Sequence, residues 1–304
     1  MRVLFMGTPD IAAVMLRALA KEQEIVGAFC QPDKPVGRRA VVTPPPVKVA
    51  AQELGVPVFQ PVRLRDGGAA ESIRALRPDM IAVVAYGRIL PKEILDIPPK
   101  GCVNIHASLL PKYRGAAPVQ TALLAGETVT GVTAMYMDEG LDTGDAIAFA
   151  QCPITDGDDA VTLFEKLGEI GAKLLCETAA AIERGEARRT PQNGDAATFA
   201  PPFTRSSGAF TWEEPARAIF DKARALCIWP NAYFEFEGKK IKLMKARLLP
   251  RSGQPGAILS TDPLVVAAGL DAVELCEVKP EGSRQMRGSE WAAGRRLRAG
   301  DRLL

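Results

Sequence analysis

Arg2-Val3-Leu4-Phe5-Met6-Gly7-Thr8-Pro9-Asp10 changes character halfway along, and that change decides the fold. Residues 2–7 are an apolar run of strand length with no helical period. Thr8, Pro9 and Asp10 then open an amphipathic helix that runs to about Lys21, with Thr8 placed to cap it and Pro9 suited to its first turn. Residues 24–31 return as a second strand. Strand, helix and strand in this order predict a βαβ unit and therefore a parallel sheet. Gly7-Thr8-Pro9 is not a GxGxxG fingerprint, so a nicotinamide or flavin dinucleotide is not indicated.

The alternation continues outward from that unit. Residues 47–54 read as helix, 57–60 as a short strand and 69–76 as helix. Met80-Ile81-Ala82-Val83-Val84-Ala85 reads as a strand buried on both faces. A further strand starts at Gly101 and runs through Ile105. Helix is expected to about Ala125, strands over 131–137 and 146–152, and a long amphipathic helix over 160–184. Residues 188–211 lose apolar periodicity and contain Pro191, Pro201 and Pro202, which reads as a linker. After a helix over 214–225, short strands are expected at 233–236, 240–249, 257–260, 264–268 and 273–278. Turns such as Glu237-Gly238 and Ser252-Gly253 separate them, a spacing that suggests a small β-barrel or sandwich. The expected organisation is an α/β domain over 1–189, a linker over 190–206 and a smaller all-β domain over 207–304, in keeping with 304 residues.

Composition excludes several classes. The stretch after Met1 has no cleavage-site pattern, so a secretory leader is not expected, and no apolar run reaches membrane-spanning length. Cys30, Cys102, Cys152, Cys176, Cys227 and Cys276 are scattered without a CxxC pair, as packing thiols in a reducing cytoplasm would be. Residues 207–304 hold 16 Lys and Arg against 12 Asp and Glu, whereas the preceding residues hold 22 against 24. A basic module on a mildly acidic body fits a polyanionic partner, although a solvated surface would look the same.

Three stretches carry chemistry. Asn104-Ile105-His106 contains the only histidine. Side chains alternate along a strand, so Asn104 and His106 project to one side while Ile105 projects to the other. The strand opens into a Pro- and Gly-rich loop, Ala107-Ser108-Leu109-Leu110-Pro111-Lys112-Tyr113-Arg114-Gly115. The second stretch, Asp138-Glu139-Gly140-Leu141-Asp142-Thr143-Gly144-Asp145, is a glycine-hinged acidic loop. It offers Asp138, Asp142 or Asp145 as a partner for the imidazole, or is simply a solvated turn. The third, Gln31-Pro32-Asp33-Lys34-Pro35-Val36-Gly37-Arg38-Arg39 onward to Thr43-Pro44-Pro45-Pro46, is a long loop with three cations. No GxSxG elbow is present, and one histidine with scattered carboxylates does not make a metal set. What remains is a site without its own nucleophile: a general base, an amide to hold an oxyanion, and an acyl group passed to an incoming amine.

Asn104-x-His106-x-Ser108-Leu109-Leu110-Pro111-x-x-x-Gly115-Ala116-x-Pro118, with Gly140-Leu141-Asp142-Thr143-Gly144, resembles the 10-formyltetrahydrofolate-dependent formyltransferases. Gly7-Thr8-Pro9-Asp10, Gln31-Pro32-Asp33-Lys34-Pro35-x-Gly37-Arg38 and Trp229-Pro230 narrow the resemblance to the members that act on methionyl-tRNA. It implies a Rossmann-like formyltransferase domain with a mostly parallel sheet, followed by an OB-like β-barrel domain. It implies Asn104, His106 and Asp142 as catalytic residues, no metal, and 10-formyltetrahydrofolate as co-substrate. The folate would be held by Tyr86, Gly87, Ile89, Leu90, Ser108, Leu109, Leu110, Pro111 and Asp138. The acceptor would be initiator methionyl-tRNA, approached by Lys34, Arg38 and Arg39 of the long loop, by Arg205 of the linker, and by Lys240 and Lys242. A cytoplasmic monomer with no membrane contact is the expected state. The linker lacks the lysines usual in the family, and Arg205 stands where one would be. For Lys240 and Lys242 a solvated strand edge is the plainer reading and a phosphate-tracking face the sharper one. A formyltransferase acting on an amino-sugar nucleotide would use the same three catalytic residues, and a non-catalytic RNA-binding protein is the alternative from another class.

Overall fold

The computed structural model describes residues 1–37 and 40–303. In chain order the elements are β1 (Arg2–Gly7), α1 (Asp10–Leu19), β2 (Glu24–Phe29), β3 (Lys34–Val36), β4 (Val41–Thr43), α2 (Pro46–Glu53), β5 (Val58–Phe59), α3 (Gly68–Leu76), β6 (Met80–Val84), α4 (Lys92–Leu95) and β7 (Cys102–His106). They continue as β8 (Arg114–Gly115), α5 (Pro118–Leu124), β9 (Val129–Tyr136), β10 (Ala146–Pro153), α6 (Ala160–Arg184) and β11 (Phe199–Ala200). The last are α7 (Ala216–Ala225), β12 (Ala232–Phe236), β13 (Lys239–Leu249), β14 (Ile258–Thr261), β15 (Leu264–Ala267), β16 (Ala272–Pro280), β17 (Met286–Arg287) and α8 (Gly288–Gly294).

Two compact units divide the chain. The first comprises Met1–Pro118, Val129–Pro153 and Phe164–Pro201; the second comprises Val119–Thr128, Ile154–Leu163 and Pro202–Leu304. The first is built on a seven-stranded sheet in the order β10-β9-β7-β6-β1-β2-β5. From β7 to β5 the pairs are parallel, and β9 and β10 join antiparallel. β1, β6 and β7 are buried almost end to end, as the continuous apolar runs of β1 and β6 require of strands covered on both faces; of the three, β7 alone buries polar side chains, Asn104 and His106. β7 therefore lies inside the sheet, paired with β6 from Cys102 to Asn104 on one edge and with β9 from Val103 to His106 on the other. The second unit carries an antiparallel sheet in the order β12-β13-β16-β15-β14, with β17 on β16. Its core gathers Phe210, Trp212, Phe234 and Trp291. Phe234 meets Trp291 edge-on at 6.0 Å between ring centroids, a favoured aromatic geometry.

The structure departs from the sequence-based expectations at three places. Thr8 does not cap α1: the helix starts at Asp10 without a side-chain cap, and the Thr8 hydroxyl donates instead to the Tyr86 carbonyl at 3.1 Å. That carbonyl lies at the end of β6, beside the end of β1. The long loop after β2 is not wholly irregular, because β3 and β4 pair antiparallel as a hairpin, Lys34 opposite Thr43 and Pro35 opposite Val42. Finally, much of the supposed linker belongs to the first unit. β11 pairs in parallel with β8, and Arg114 N–H donates to the Thr198 carbonyl at 2.8 Å while Ala117 N–H donates to Ala200 at 3.1 Å. A two-residue strand is too short to leave a hydrophobic period. No helix among the described residues is long and apolar enough to cross a membrane.

All six cysteines are free, and four are buried. Burial pushes the Cys30 thiol up to about 11 and the Cys102 thiol up to about 12. Since the thiolate is the reactive form, native protein at pH 8 should alkylate at neither Cys30 nor Cys102, while unfolded protein should label at both; mass spectrometry after a timed iodoacetamide pulse reads the difference.

Candidate active site

The site grows from the end of β7. Within this strand Asn104 lies opposite Met135 and His106 opposite Thr133 of β9. One pleat apart on the same face, the two are separated by roughly 7 Å along the strand at about 3.3–3.4 Å per residue. Both are buried, and no described residue hydrogen-bonds the Asn104 carboxamide, which leaves it open to a ligand. The His106 ring is oriented on one side by the Tyr113 carbonyl, 2.9 Å from Nε2. A carbonyl oxygen can only accept, so the neutral ring carries its proton on Nε2 and its lone pair on Nδ1. That lone pair faces Asp142, whose Oδ2 stands 3.7 Å away, near enough to stabilise a charged ring but beyond hydrogen-bond length. The tautomer is thus fixed by the Tyr113 carbonyl and not by the carboxylate.

Asp142 has its own support. Its Oδ2 accepts the Gly115 N–H at 2.8 Å, and its backbone adopts a left-handed φ of 54°. Of the other acids in this loop, Asp138 accepts from Gly140 N–H and Thr143 Oγ1, folding the loop on itself, and Asp145 faces Arg189 at 3.9 Å. Gly144 is required here, because a Cβ would come within 1.8 Å of the Tyr136 carbonyl oxygen. Gly115 is required as well, at a φ of 120° and with the Ala200 carbonyl oxygen 2.8 Å from where its Cβ would lie. Tyr113, Arg114 and Gly115 therefore act on the site at three consecutive positions. Tyr113 gives a carbonyl to His106 and Gly115 gives an N–H to Asp142. The buried Arg114 side chain donates through Nε and Nη2 to Gln192 Oε1 at 3.2 and 2.7 Å. Gln192 in turn donates to the Asp142 carbonyl at 2.9 Å and the Gly144 carbonyl at 2.7 Å. None of these supports except Gly115 was singled out from sequence. Gln192 lies in the stretch taken for a linker, and its only signal there was a polar residue next to Pro191.

The residues expected at the folate end line this same unit. Ser108 is fully buried and donates to the Lys112 carbonyl at 2.6 Å, while Thr133 Oγ1 donates to the Ser108 carbonyl and accepts from Leu110 N–H. Tyr86 is turned into the core beside Leu90, Phe29 and Ile94; its hydroxyl has no partner, and burial pushes it up to about 12. The side chains of Tyr86, Leu90, Ser108 and Leu110 are thus buried, and a ligand would meet backbone at these positions. Gly87, Ile89 (72% exposed), Leu109, Pro111 and Asp138 remain at least partly exposed. Lys34 is exposed on β3, and Arg38 and Arg39 lie outside the described residues. The other three cations belong to the second unit. Arg205 is exposed in a short 3₁₀ turn, the Lys240 ammonium lies 4.5 Å from the Tyr233 ring centroid, and Lys242 donates to Asn231 Oδ1 at 2.9 Å. Among the described residues no group of three His, Cys, Asp or Glu side chains could hold a metal ion.

A parallel sheet ending in an amide, an imidazole and a carboxylate, followed by a separate antiparallel module, defines a group-transfer enzyme of two units. The chain belongs to the formyl transferase family: residues 1–179 match the formyl transferase model and residues 203–296 match the family's C-terminal domain. Among curated proteins it is 44% identical over 306 residues to methionyl-tRNA formyltransferase of Thermus thermophilus, covering 100% of this chain and 99% of that one. It is 43% identical over 295 residues to the methionyl-tRNA formyltransferase of Macrococcus caseolyticus, covering 96% and 95%. Solved structures share the fold at lower identity. An N-formyltransferase from Helicobacter canadensis, in complex with folinic acid and dTDP-3-aminofucose, superposes with a TM-score of 0.69 at 18% identity over 90% of this chain and 98% of that one. HypX from Aquifex aeolicus, in complex with tetrahydrofolic acid, superposes with a TM-score of 0.65 at 19% identity; the match covers 96% of this chain and 47% of HypX.

Replacing Gln192 by Ala frees the Asp142 loop without touching any reacting group. Turnover is expected to fall roughly 10–100-fold, the size of loss a misplacement of about 1 Å produces, and to fall little further when Gln192→Ala is added to Asp142→Ala. Multiplicative losses in the double variant would disprove a role exerted through Asp142.

Proposed function

We propose that this chain transfers the formyl group of 10-formyltetrahydrofolate to the α-amino group of methionine on initiator tRNA. The single observation that carries the reading is the pairing of an unpartnered amide at Asn104 with an imidazole whose free lone pair faces a carboxylate. Formyl transfer to an amine asks for these groups and for no nucleophile from the protein. The folate fits the residues present: its formyl carbonyl needs a hydrogen-bond donor, and the buried Asn104 side chain offers an amide that no described residue engages.

The α-amine of an aminoacyl ester titrates near neutrality, close to the roughly 7.7–8.0 of a free α-amino group, so a useful fraction is nucleophilic without activation. As the amine adds to the formyl carbon, Asn104 donates to the oxygen that gains charge. His106 Nδ1 takes the proton the nitrogen must lose, and its Nε2–H stays on the Tyr113 carbonyl throughout. Asp142 supplies the opposite charge once the ring is protonated. Its 3.7 Å separation leaves Nδ1 unblocked before that moment. Collapse then breaks the bond from the formyl carbon to the folate nitrogen, which takes up the proton held on His106 Nδ1; the folate amine leaves, the formylated aminoacyl ester remains and the ring is neutral again. The acceptor belongs to translation, which supports a cytoplasmic site.

The 40–44% identity to methionyl-tRNA formyltransferases over nearly full length favours an RNA acceptor over an amino-sugar nucleotide. Lys34 on the β3–β4 hairpin, Arg38 and Arg39 between its strands, and Arg205, Lys240 and Lys242 of the second unit are the cations proposed to meet that RNA.

Formylation of methionyl initiator tRNA by 10-formyltetrahydrofolate, with an elongator tRNA as control, tests the reading directly. Asn104→Ala should lower turnover by about 10²–10³ and His106→Ala by about 10²–10⁴. Near-normal turnover in the His106 variant would refute the assignment of the base.

A further inference from the structure

Gln31, Asp33, Lys48 and Gln60 have no part in the chemistry just described, yet with Thr8 they form one continuous set of hydrogen bonds within the first unit. Gln31 Nε2 donates to the Tyr86 carbonyl at 3.0 Å, and its Oε1 accepts from Arg88 Nε at 3.1 Å. A single amide thus holds the loop after β6 at two points. The Gln31 carbonyl accepts from Gln60 Nε2 at 2.9 Å, and that same nitrogen donates to Asp33 Oδ1 at 2.8 Å. Lys48 Nζ then reaches both oxygens of Asp33, at 2.9 and 2.8 Å. Asp33 immediately precedes β3, and Lys48 sits in the first turn of α2, just beyond β4. Their ion pair therefore clips together the two ends of the hairpin. Both side chains are largely covered, so salt screens the pair less than it would a surface pair. Lys48, with help from Gln60, holds the Asp33 carboxyl below the usual carboxylate range. Thr8 closes the set, because its hydroxyl donates to Tyr86 while its carbonyl accepts the Val47 N–H at the head of α2 at 3.3 Å.

We propose that Gln31 is a positioning residue shared by both substrates. Its side chain fixes the loop that receives the folate donor, and its backbone, through Gln60 and the Asp33–Lys48 clip, fixes the hairpin that receives the acceptor RNA. A shift of the loop on donor binding is transmitted to the base of the hairpin, and by thermodynamic reciprocity a shift of the hairpin is transmitted to the loop. The inference rests on the donor and acceptor named under Proposed function.

The test is steady-state formylation with 10-formyltetrahydrofolate and methionyl initiator tRNA varied in turn. Gln31→Ala and Lys48→Met are each expected to raise KM for both substrates by about fivefold or more, and the double variant to fall short of the product of the two. KM is the readout because a simple loss of folded protein lowers turnover and leaves KM unchanged. Effects confined to the nearer substrate, folate for Gln31→Ala and RNA for Lys48→Met, would overturn the shared role, as would a fully multiplicative double variant. If Gln31→Ala does not fold, Gln60→Ala cuts the same chain one bond further on and carries the same test, with both KM values again expected to rise. A wild-type chain unable to formylate methionyl initiator tRNA would sink the functional reading itself; a competent wild type with separable KM effects sinks the shared positioning alone.

Discussion

The hydrogen bond from His106 Nε2 to the Tyr113 carbonyl is the constraint on which the site depends. A histidine ring has two distinct nitrogens that can carry its one proton, and the hydrogen bond made by one decides which is left as the acceptor. Fixing the proton on Nε2 leaves Nδ1 as the sole acceptor and points it at Asp142. Tyr113 can play this part because its own backbone is tied down. Its N–H donates to Thr198 Oγ1 at 2.8 Å, and the next residue pairs with β11. The His106 ring, proposed above as the general base, is therefore oriented through Tyr113 by a stretch some 85 residues further along the chain.

Asp142 is built on the same support. Gly115 N–H holds the carboxylate and Gln192 holds the carbonyl, while Arg114 holds Gln192. Gly115 contributes only a backbone group, whereas fixing the Gln192 and Arg114 side chains costs up to about 1.5–2 kcal/mol each in rotamer freedom, which their paired hydrogen bonds offset. Left alone, a glycine-hinged turn carrying Asp138, Asp142 and Asp145 would be a mobile acidic loop. Clamped from outside, it presents one acid to the ring and employs another, Asp138, to fold itself. The site is therefore complete only with residues 190–200 in place against β8.

Much of this was legible in the sequence, for identifiable reasons. The parallel sheet could be read because β1 and β6 are buried on both faces and so wear unbroken apolar runs. Asn104 and His106 could be placed together because a strand's period of two needs no tertiary knowledge. The candidate positions could be narrowed further by resemblance, which chose Asp142, the acid that the structure places 3.7 Å from the ring, where spacing alone left Asp138 and Asp145 open. The supports of the site were hidden because they act through backbone atoms or through contacts distant in sequence. Nothing local announces that the carbonyl of Tyr113 matters, or that Gln192, two residues past Thr190 in a proline-containing stretch, reaches back to residue 142. Thr8 was misread for a related cause: a threonine before a helix is a good cap in isolation, but here a buried carbonyl at the end of β6 competes for its hydroxyl and wins.

An enzyme that lends no nucleophile of its own has to obtain its rate from placement. Both reacting groups arrive from outside, so the protein can contribute only orientation, an oxyanion donor and a proton acceptor. This explains why polar order extends so far beyond the three residues at the end of β7. On one flank, β8, β11 and Gln192 fix the acid and the base. On the other, Gln31, Gln60 and the Asp33–Lys48 pair tie the loop after β6 to the root of the β3–β4 hairpin. Each flank is anchored in the same sheet, and β6 and β7 are neighbours within it. On the proposed reading, two incoming substrates would be referred to one sheet, and a weak base facing a separate carboxylate would suffice because neither partner would have to search for the other.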